Sequence, residues 1–177
     1  MNRFLKILYE IGCIKTGNFI LKSGKKSDVY VDIRKIISHP DHLLDVSMEI
    51  SNIAKELPAD KICGIPYGGI PLATGASILK EIPMIQIRKK TKDHGMKNLV
   101  EGKWQPGDRV ILIDDVITTG SSLLEYKEKL EYIGLIVEHV IVFVDRSQED
   151  LDLGCTLHSL VKIDNLEDLK ELENYYE

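Results

Sequence analysis

The stretch from Arg109 to Ser122, RVILIDDVITTGSS, constrains this chain more than any other. Arg109–Ile113 is a nearly uninterrupted apolar run, without the in–out alternation of a strand that has one wet face. It predicts a strand covered on both sides, the habit of parallel sheets sandwiched between helices. The run delivers two adjacent carboxylates, Asp114 and Asp115. Four hydroxyl residues, Thr118, Thr119, Ser121 and Ser122, then surround Gly120, where a helix over Ser121–Ile133 is expected to begin.

The neighbouring sequence alternates in the same way. Lys61–Ile65 reads as a short strand that runs into Pro66-Tyr67-Gly68-Gly69-Ile70-Pro71, with a helix over residues 71–80. Met84–Ile87 is the next strand, 88–103 a polar, Lys-rich loop, and Ile136–Val144 another apolar strand ending in Asp145-Arg146. Strands alternating with helices imply an α/β fold with a central, mostly parallel sheet, whose ligands gather at the carboxyl ends of the strands. Three of those ends, 66–71, 114–122 and 145–146, carry the unusual residues. Upstream, the spacing predicts a helix over 3–13 ended by Gly12, and extended runs at 19–21 and 29–31 around the polar turn Ser23–Lys26. A second helix is expected from Pro40 to Leu57, offering Leu43, Leu44, Val46, Met48, Ile50 and Ile53 for a buried face, with Pro58 stopping it. The tail from 156 to 177 reads as one strand and one acidic helix.

The chemistry of the 114–122 segment follows from its residue types. Backbone N–H groups at a helix amino terminus, with the positive end of the helix dipole behind them, form an anion site. Hydroxyls add donors there, and Gly120 lets the backbone turn closely around a phosphate. Carboxylates would repel that phosphate, so Asp114 and Asp115 suit the hydroxyls of a sugar, each charge-assisted hydrogen bond contributing about 1.5–3 kcal/mol. Carboxylates for a diol beside a cradle for a phosphate describe a ribose 5-phosphate pocket. The plainer alternative is an acidic turn and an ordinary helix capped by Ser and Thr. Neither GxxxxGK[ST] nor GxGxxG occurs, which sets aside the P-loop and Rossmann fingerprints.

Composition narrows the class. The chain's 177 residues, 44% hydrophobic and 29% charged, fit one domain over 1–177 with a core of its own. Lys and Arg number 23 against 28 Asp and Glu, a net charge of −5 that argues against a nucleic-acid partner. Cys13, Cys63 and Cys155 are far apart and form no CxxC pair, so buried thiols in a reducing compartment are the simpler reading. The amino terminus lacks an apolar signal region and no apolar stretch approaches about 18 residues, so a cytoplasmic location without a membrane partner is expected.

The 109–122 segment resembles the signature of the type I phosphoribosyltransferases, and further motifs resemble the orotate phosphoribosyltransferases, including the corresponding domain of uridylate synthases. FILKSGKKS (19–27) with Tyr30-Val31-Asp32 is similar to that family's entry motif. CGIPYGGIPLAT (63–74) is similar to its pyrophosphate-binding strand and turn, RKKTKDHG (88–95) to its mobile catalytic loop, and Val144-Asp145-Arg146 to the end of a later strand. The resemblance implies the type I phosphoribosyltransferase fold, with a small hood formed by residues 1–35 plus the tail, and a catalytic loop over 88–103. It implies transfer of ribose 5-phosphate from phosphoribosyl pyrophosphate (PRPP) to N1 of orotate, giving orotidine 5'-monophosphate and pyrophosphate on the route to UMP. It also implies a homodimer that shares its catalytic loop across subunits.

The resemblance assigns orotate to Lys22, Thr118 and Arg146, and the residues make chemical sense of that. A planar pyrimidine carboxylate calls for a cation with a planar fork, which Arg146 supplies, with Lys22 as a second positive contact and Tyr30-Val31 covering the ring. The alternatives are a solvated turn for Lys22 and an ion pair with Asp145 or Glu149 for Arg146. PRPP is assigned to Tyr67, Gly68, Gly69, Arg88, Lys89, Lys92, His94, Asp114, Asp115, Thr118, Thr119, Gly120, Ser121 and Ser122. Of these, Lys89, Lys92, His94, Asp114 and Asp115 are the expected catalytic groups. A cationic loop of this length suits a lid that neutralises leaving pyrophosphate, a solubilising surface loop being the alternative. Magnesium is expected on the diphosphate and ribose oxygens, with no direct protein ligand and Asp114 or Asp115 reached through water. Three positions depart from the family pattern: Gly68 stands where many members carry Lys, Lys90 where an acid is usual, and Asp28 where proline is common. Two rivals stay open, a phosphoribosyltransferase for another base and a PRPP-sensing regulatory protein.

Overall fold

The apolar run beginning at Arg109 forms the middle of the sheet. In the computed structural model, which describes residues 2–20, 26–88 and 99–163, strand β6 (Arg109–Ile117) lies between β3 (Lys61–Gly64) and β7 (Ile136–Asp145), parallel to both. β4 (Met84–Ile87) extends the sheet beyond β3, and β8 (Thr156–Lys162) extends it beyond β7, again in parallel. β5 (Val100–Glu101) adds an antiparallel edge, so the order is β5-β4-β3-β6-β7-β8.

Successive side chains of a strand face opposite ways, and here both faces are dry. Ile111 and Ile113 join a core with α1 (Arg3–Glu10), α2 (Pro40–Glu56) and α3 (Gly69–Lys80). Val110 and Leu112 join the opposite core under α4 (Ser121–Tyr132). Burying each such side chain stabilises the fold by about 1.5–3 kcal/mol, which is why this strand carries no polar residue between Arg109 and Asp114.

The amino-terminal part is tied onto the same sheet. Asn2 caps α1 by accepting from Phe4 N at 2.9 Å, and its amide donates to Leu160 O on β8 at 2.8 Å. Phe4 meets Phe143 edge to face, with centroids 6.0 Å apart. Gly12, at φ +65°, ends that segment. β1 (Ile14–Ile20) and β2 (Lys26–Val31) pair antiparallel as a separate sheet.

Five local expectations are corrected. Leu44 and Met48 are 49% and 44% exposed, because α2 turns small residues, Ser47 and Ser51, inward beside Val46, Ile50 and Ala54. The reason is close approach of α3: a Cβ on Gly75 would lie 2.6 Å from Ser47 Cβ and closer still to Ser47 Oγ. α3 begins at Gly69 rather than 71, since Gly69 N already donates to Ile65 O at 3.0 Å. β6 continues past Ile113 to Ile117, held by β7 as far as Asp145, so Asp114 and Asp115 lie on the strand. The 88–103 segment is not all loop, because Val100–Glu101 pairs with β4. A 3-10 helix over Ile33–Ser38, which the sequence did not announce, buries Ile33 and Ile36. The Ser23–Lys26 turn up to Lys25 and the acidic helix after 163 lie outside the described residues. Among the described residues, no helix is long and apolar enough to cross a membrane.

The close helix pair leaves Ser47 Oγ buried without a hydrogen-bond partner. An unpaired buried hydroxyl costs about 1–3 kcal/mol. Ser47→Ala removes it without filling the space beside Gly75, so urea unfolding should give a variant more stable by about 1 kcal/mol. A loss of stability would show that the hydroxyl is satisfied after all.

Candidate functional site

Parallel pairing stops at different depths on each strand, and the chain ends of β3 and β6 open a cavity of about 400 Å³. Its wall is the continuous run from Asp114 to Leu123, with Ile65 and Pro66 from the end of β3 and Glu125 and Tyr126 from α4. Two main-chain bonds set the geometry of the neighbouring strand ends. Ile65 N donates to Ile113 O at 2.8 Å, and Arg146 N donates to Ile117 O at 2.9 Å.

The anion side of the cavity is the start of α4. Gly120 adopts φ +74° at the helix N-cap, and a Cβ there would press on Leu153 at 2.7 Å. Backbone conformation calls for glycine here, and any Cβ would also displace that Leu153 methyl. The first amides of a helix have no main-chain acceptor one turn back, and here Ser121 N turns to Thr119 Oγ1 at 3.5 Å. Thr119 Oγ1 and Ser121 Oγ lie 2.9 Å apart across the turn.

The acid side is the end of β6. Asp114 is 8% exposed, and its Oδ1 accepts the Asp115 N–H at 2.9 Å. Burial, then the Asp115 charge and a side-chain hydrogen bond to Asp115, push the Asp114 carboxyl up to about 8, against the lowering effect of that N–H. Asp115 Oδ1 accepts Val116 N at 2.9 Å. The rest of the Asp115 carboxylate leans over the turn after β3. A Cβ on Gly68 would lie 2.8 Å from Asp115 Cβ and closer still to the carboxylate. Gly68 thus leaves room for Asp115, which gives a steric reason for glycine where a lysine is common. Gly69 is as tightly placed, since a Cβ there would run into Ile113 O. The Pro66–Tyr67 peptide is cis, and the Tyr67 side chain is 70% exposed.

The cavity gathers Asp114, Asp115, Thr118, Thr119, Gly120, Ser121 and Ser122, with Gly68 against Asp115. Tyr67, Gly69, Arg88, Tyr30, Val31 and Arg146 stand outside its wall. Arg88 is ion-paired with Glu101 across the β4–β5 edge, and its N–H donates to Leu99 O at 2.9 Å. Tyr30 stacks at a tilt on Phe19, with centroids 5.6 Å apart, and Val31 packs against the core. Arg146 is half-buried, and burial alone holds its guanidinium below the ordinary range. The ion pairs considered for it do not form among the described residues. Asp145 is taken instead by Ser147, accepting from N at 2.8 Å and Oγ at 2.7 Å. Lys22, Lys89, Lys92 and His94 lie outside the described residues.

Two residues near the site were missed by the sequence reading. Arg34 donates from Nε to Asp32 Oδ1 at 2.8 Å, holding that carboxyl below its usual range, and the Tyr30 and Asp115 charges act on the guanidinium in turn. Its signal was the cation two residues after the entry motif's Asp32. Tyr126 lines the cavity from α4, and the helical period after Ser122 places it one turn on, facing the strand ends.

The proton on Asp114 has a measurable consequence. The folded chain holds it up to about pH 8, whereas the unfolded chain releases it near the ordinary value of 3.8. The folded state therefore binds more protons between those limits, and stability falls as pH rises through that window. In the ligand-free protein, Asp114→Asn should flatten the decline in melting temperature between about pH 5.5 and pH 8.5. Parallel declines in variant and parent would show that Asp114 is ionised throughout.

Comparison with known proteins places this geometry. The phosphoribosyl transferase domain family matches residues 41–165. The chain is 44% identical over 159 residues to the uridine 5'-monophosphate synthase of Bos taurus, covering 86% of this chain and 33% of that one. It is 41% identical over 145 residues to the orotate phosphoribosyltransferase of Methanocaldococcus jannaschii, covering 82% of each. The solved orotate phosphoribosyltransferase of Aeropyrum pernix superposes with a TM-score of 0.76 at 29% identity, over 94% of this chain and 97% of that one. The chain thus spans about a third of its larger curated relatives and most of the smaller archaeal one. A domain match over most of the chain, joined to 41% identity across 82% of an archaeal relative, places it in the orotate phosphoribosyltransferase family.

Proposed function

We propose that the protein transfers ribose 5-phosphate from PRPP to orotate, releasing pyrophosphate and forming orotidine 5'-monophosphate for pyrimidine synthesis. The observation that carries this reading is one cavity with an acid pair at one side, Asp114 buried and Asp115 half-buried, and the start of α4 on the other. Such a cavity accepts a sugar diol and a phosphate group side by side.

In this reading Asp114 and Asp115 hold the ribose hydroxyls and face the positive charge that develops on the ring as its bond to pyrophosphate breaks. Thr118, Thr119, Gly120, Ser121 and Ser122 hold the 5-phosphate. The turn at Tyr67, Gly68 and Gly69 takes the pyrophosphate through main-chain amides. Arg88, Lys89, Lys92 and His94 neutralise the departing group, each unit cation being worth roughly 4 kcal/mol at about 4 Å and an effective dielectric of about 20. Arg88 must exchange Glu101 for that task. Lys22, Tyr30, Val31, Thr118 and Arg146 hold orotate, whose N1 attacks the anomeric carbon with inversion. A half-buried guanidinium with no ion pair among the described residues is well suited to a planar carboxylate.

Magnesium fits this donor set. Asp114 and Asp115 are hard oxygen donors, the kind this ion takes directly or through water. When bound, the ion would neutralise diphosphate charge. The reading extends to a cytoplasmic homodimer sharing its 88–103 loop, with the hood formed by 1–35 and the tail. Leu44, Met48 and Ile78 are exposed on the packed helices α2 and α3, an apolar surface suited to a second copy.

With PRPP and magnesium, loss of orotate absorbance and release of pyrophosphate should proceed in equal amounts, while uracil, adenine and hypoxanthine release none. Faster release with any of those bases would replace orotate as the acceptor, and no release with any base would favour the sensing protein. Arg146→Leu should raise KM for orotate by about tenfold or more, the size of one charge-assisted hydrogen bond, and leave KM for PRPP nearly unchanged. An unaltered KM for orotate would remove Arg146 from the base site.

A further inference from the structure

Tyr126 lines the cavity and has no task in the reaction described above. Only 6% of it is exposed, and its ring packs in the core under α4 with Cys63, Ile65, Leu123 and Leu130. Lys129 Nζ lies 4.9 Å from the ring centroid. A tyrosine this deep ordinarily has a partner for its hydroxyl. Here none forms among the described residues, and the hydroxyl is not sealed off either. Among those residues, Ser47 Oγ is the buried side-chain atom left unpaired without contact to solvent. The Tyr126 hydroxyl therefore keeps contact with solvent, in a residue that lines the cavity together with Asp114.

Its surroundings say which way it works. Burial first, then the charges of Glu125, Asp114, Tyr67 and Cys63, hold the phenol above its ordinary range, so it stays protonated and acts as a donor. The Asp114 carboxyl has one oxygen on the Asp115 N–H. Gripping a sugar diol needs the ionised carboxylate, and a buried carboxylate needs more than one donor.

We propose that Tyr126 Oη donates a hydrogen bond to the Asp114 carboxylate when the sugar donor is bound, making Tyr126 a positioning residue for the acid pair. This deepens the reading of the site as a PRPP pocket and rests on it. Tyr126→Phe keeps the ring and removes the oxygen. KM and calorimetric Kd for PRPP should rise about five- to tenfold, as for one lost hydrogen bond, with KM for orotate and the melting temperature held. In an Asp114→Ala background the same change should shift Kd for PRPP by about twofold or less, since the acceptor is gone. An unchanged KM for PRPP in Tyr126→Phe overturns the proposal. So does an equal shift in both backgrounds, which would put Tyr126 elsewhere than on Asp114. If the parent protein binds no PRPP, the pocket assignment itself falls, and the positioning role falls with it.

Discussion

The parallel pairing of β6 with β3 on one side and β7 on the other is the constraint from which the site follows. It aligns three carboxyl ends at one edge of the sheet, where the main chain stops spending its N–H and C=O groups on its neighbours. The two bonds past the ladders, Ile65 N to Ile113 O and Arg146 N to Ile117 O, carry that alignment into the turns. They fix the turn after β3 and Arg146 against the end of β6, where the acid pair lies. The strand supporting them is dry on both faces, so the cost of an unpaired buried backbone keeps its register fixed.

On this frame two charges of the same sign must be held next to an anion site. The structure meets the difficulty with depth and with protons. Asp114 is sunk at the strand end, where burial and the Asp115 charge raise its carboxyl to about 8. A ligand that offers hydroxyl donors to these oxygens changes the balance in favour of the ionised pair, because each new hydrogen bond to the charged form lowers the pKa. In the proposed reading, donor binding and ionisation are thereby linked in one place.

Much of this was legible in the residues because the decisive signals are local. An apolar run with no alternation reads as a doubly covered strand, a lone glycine among hydroxyls reads as a tight turn before a helix, and Pro40 and Pro58 bracket α2. What escaped depends on partners distant in the chain. Leu44 and Met48 have helical spacing suited to burial, yet Gly75 of α3 draws Ser47 inward in their place. Arg88 reads as a free cation of the lid until β5 brings Glu101 alongside. Val100 and Glu101 are too short a run to announce a strand, which exists because Gln86 and Ile87 pair with it. Tyr126 sits in a helix of weak apolar pattern, and nothing in its local sequence says that it lines the same cavity as the end of another strand.

Gly68 shows how far such distant pairing reaches into chemistry. Read along the chain, glycine in place of lysine is a lost cation in the pyrophosphate turn. In three dimensions it is also the condition for Asp115 to lie where it does, since any side chain at 68 begins inside the space of that carboxylate. A lysine there would bring a charge and move the acid. This chain keeps the acid against the turn, and in the proposed reading the pyrophosphate is left to main-chain amides, which are fixed dipoles and need no reorganisation when charge develops. The turn and the acid pair are thus one steric unit, and the residue at 68 cannot be changed for its charge alone.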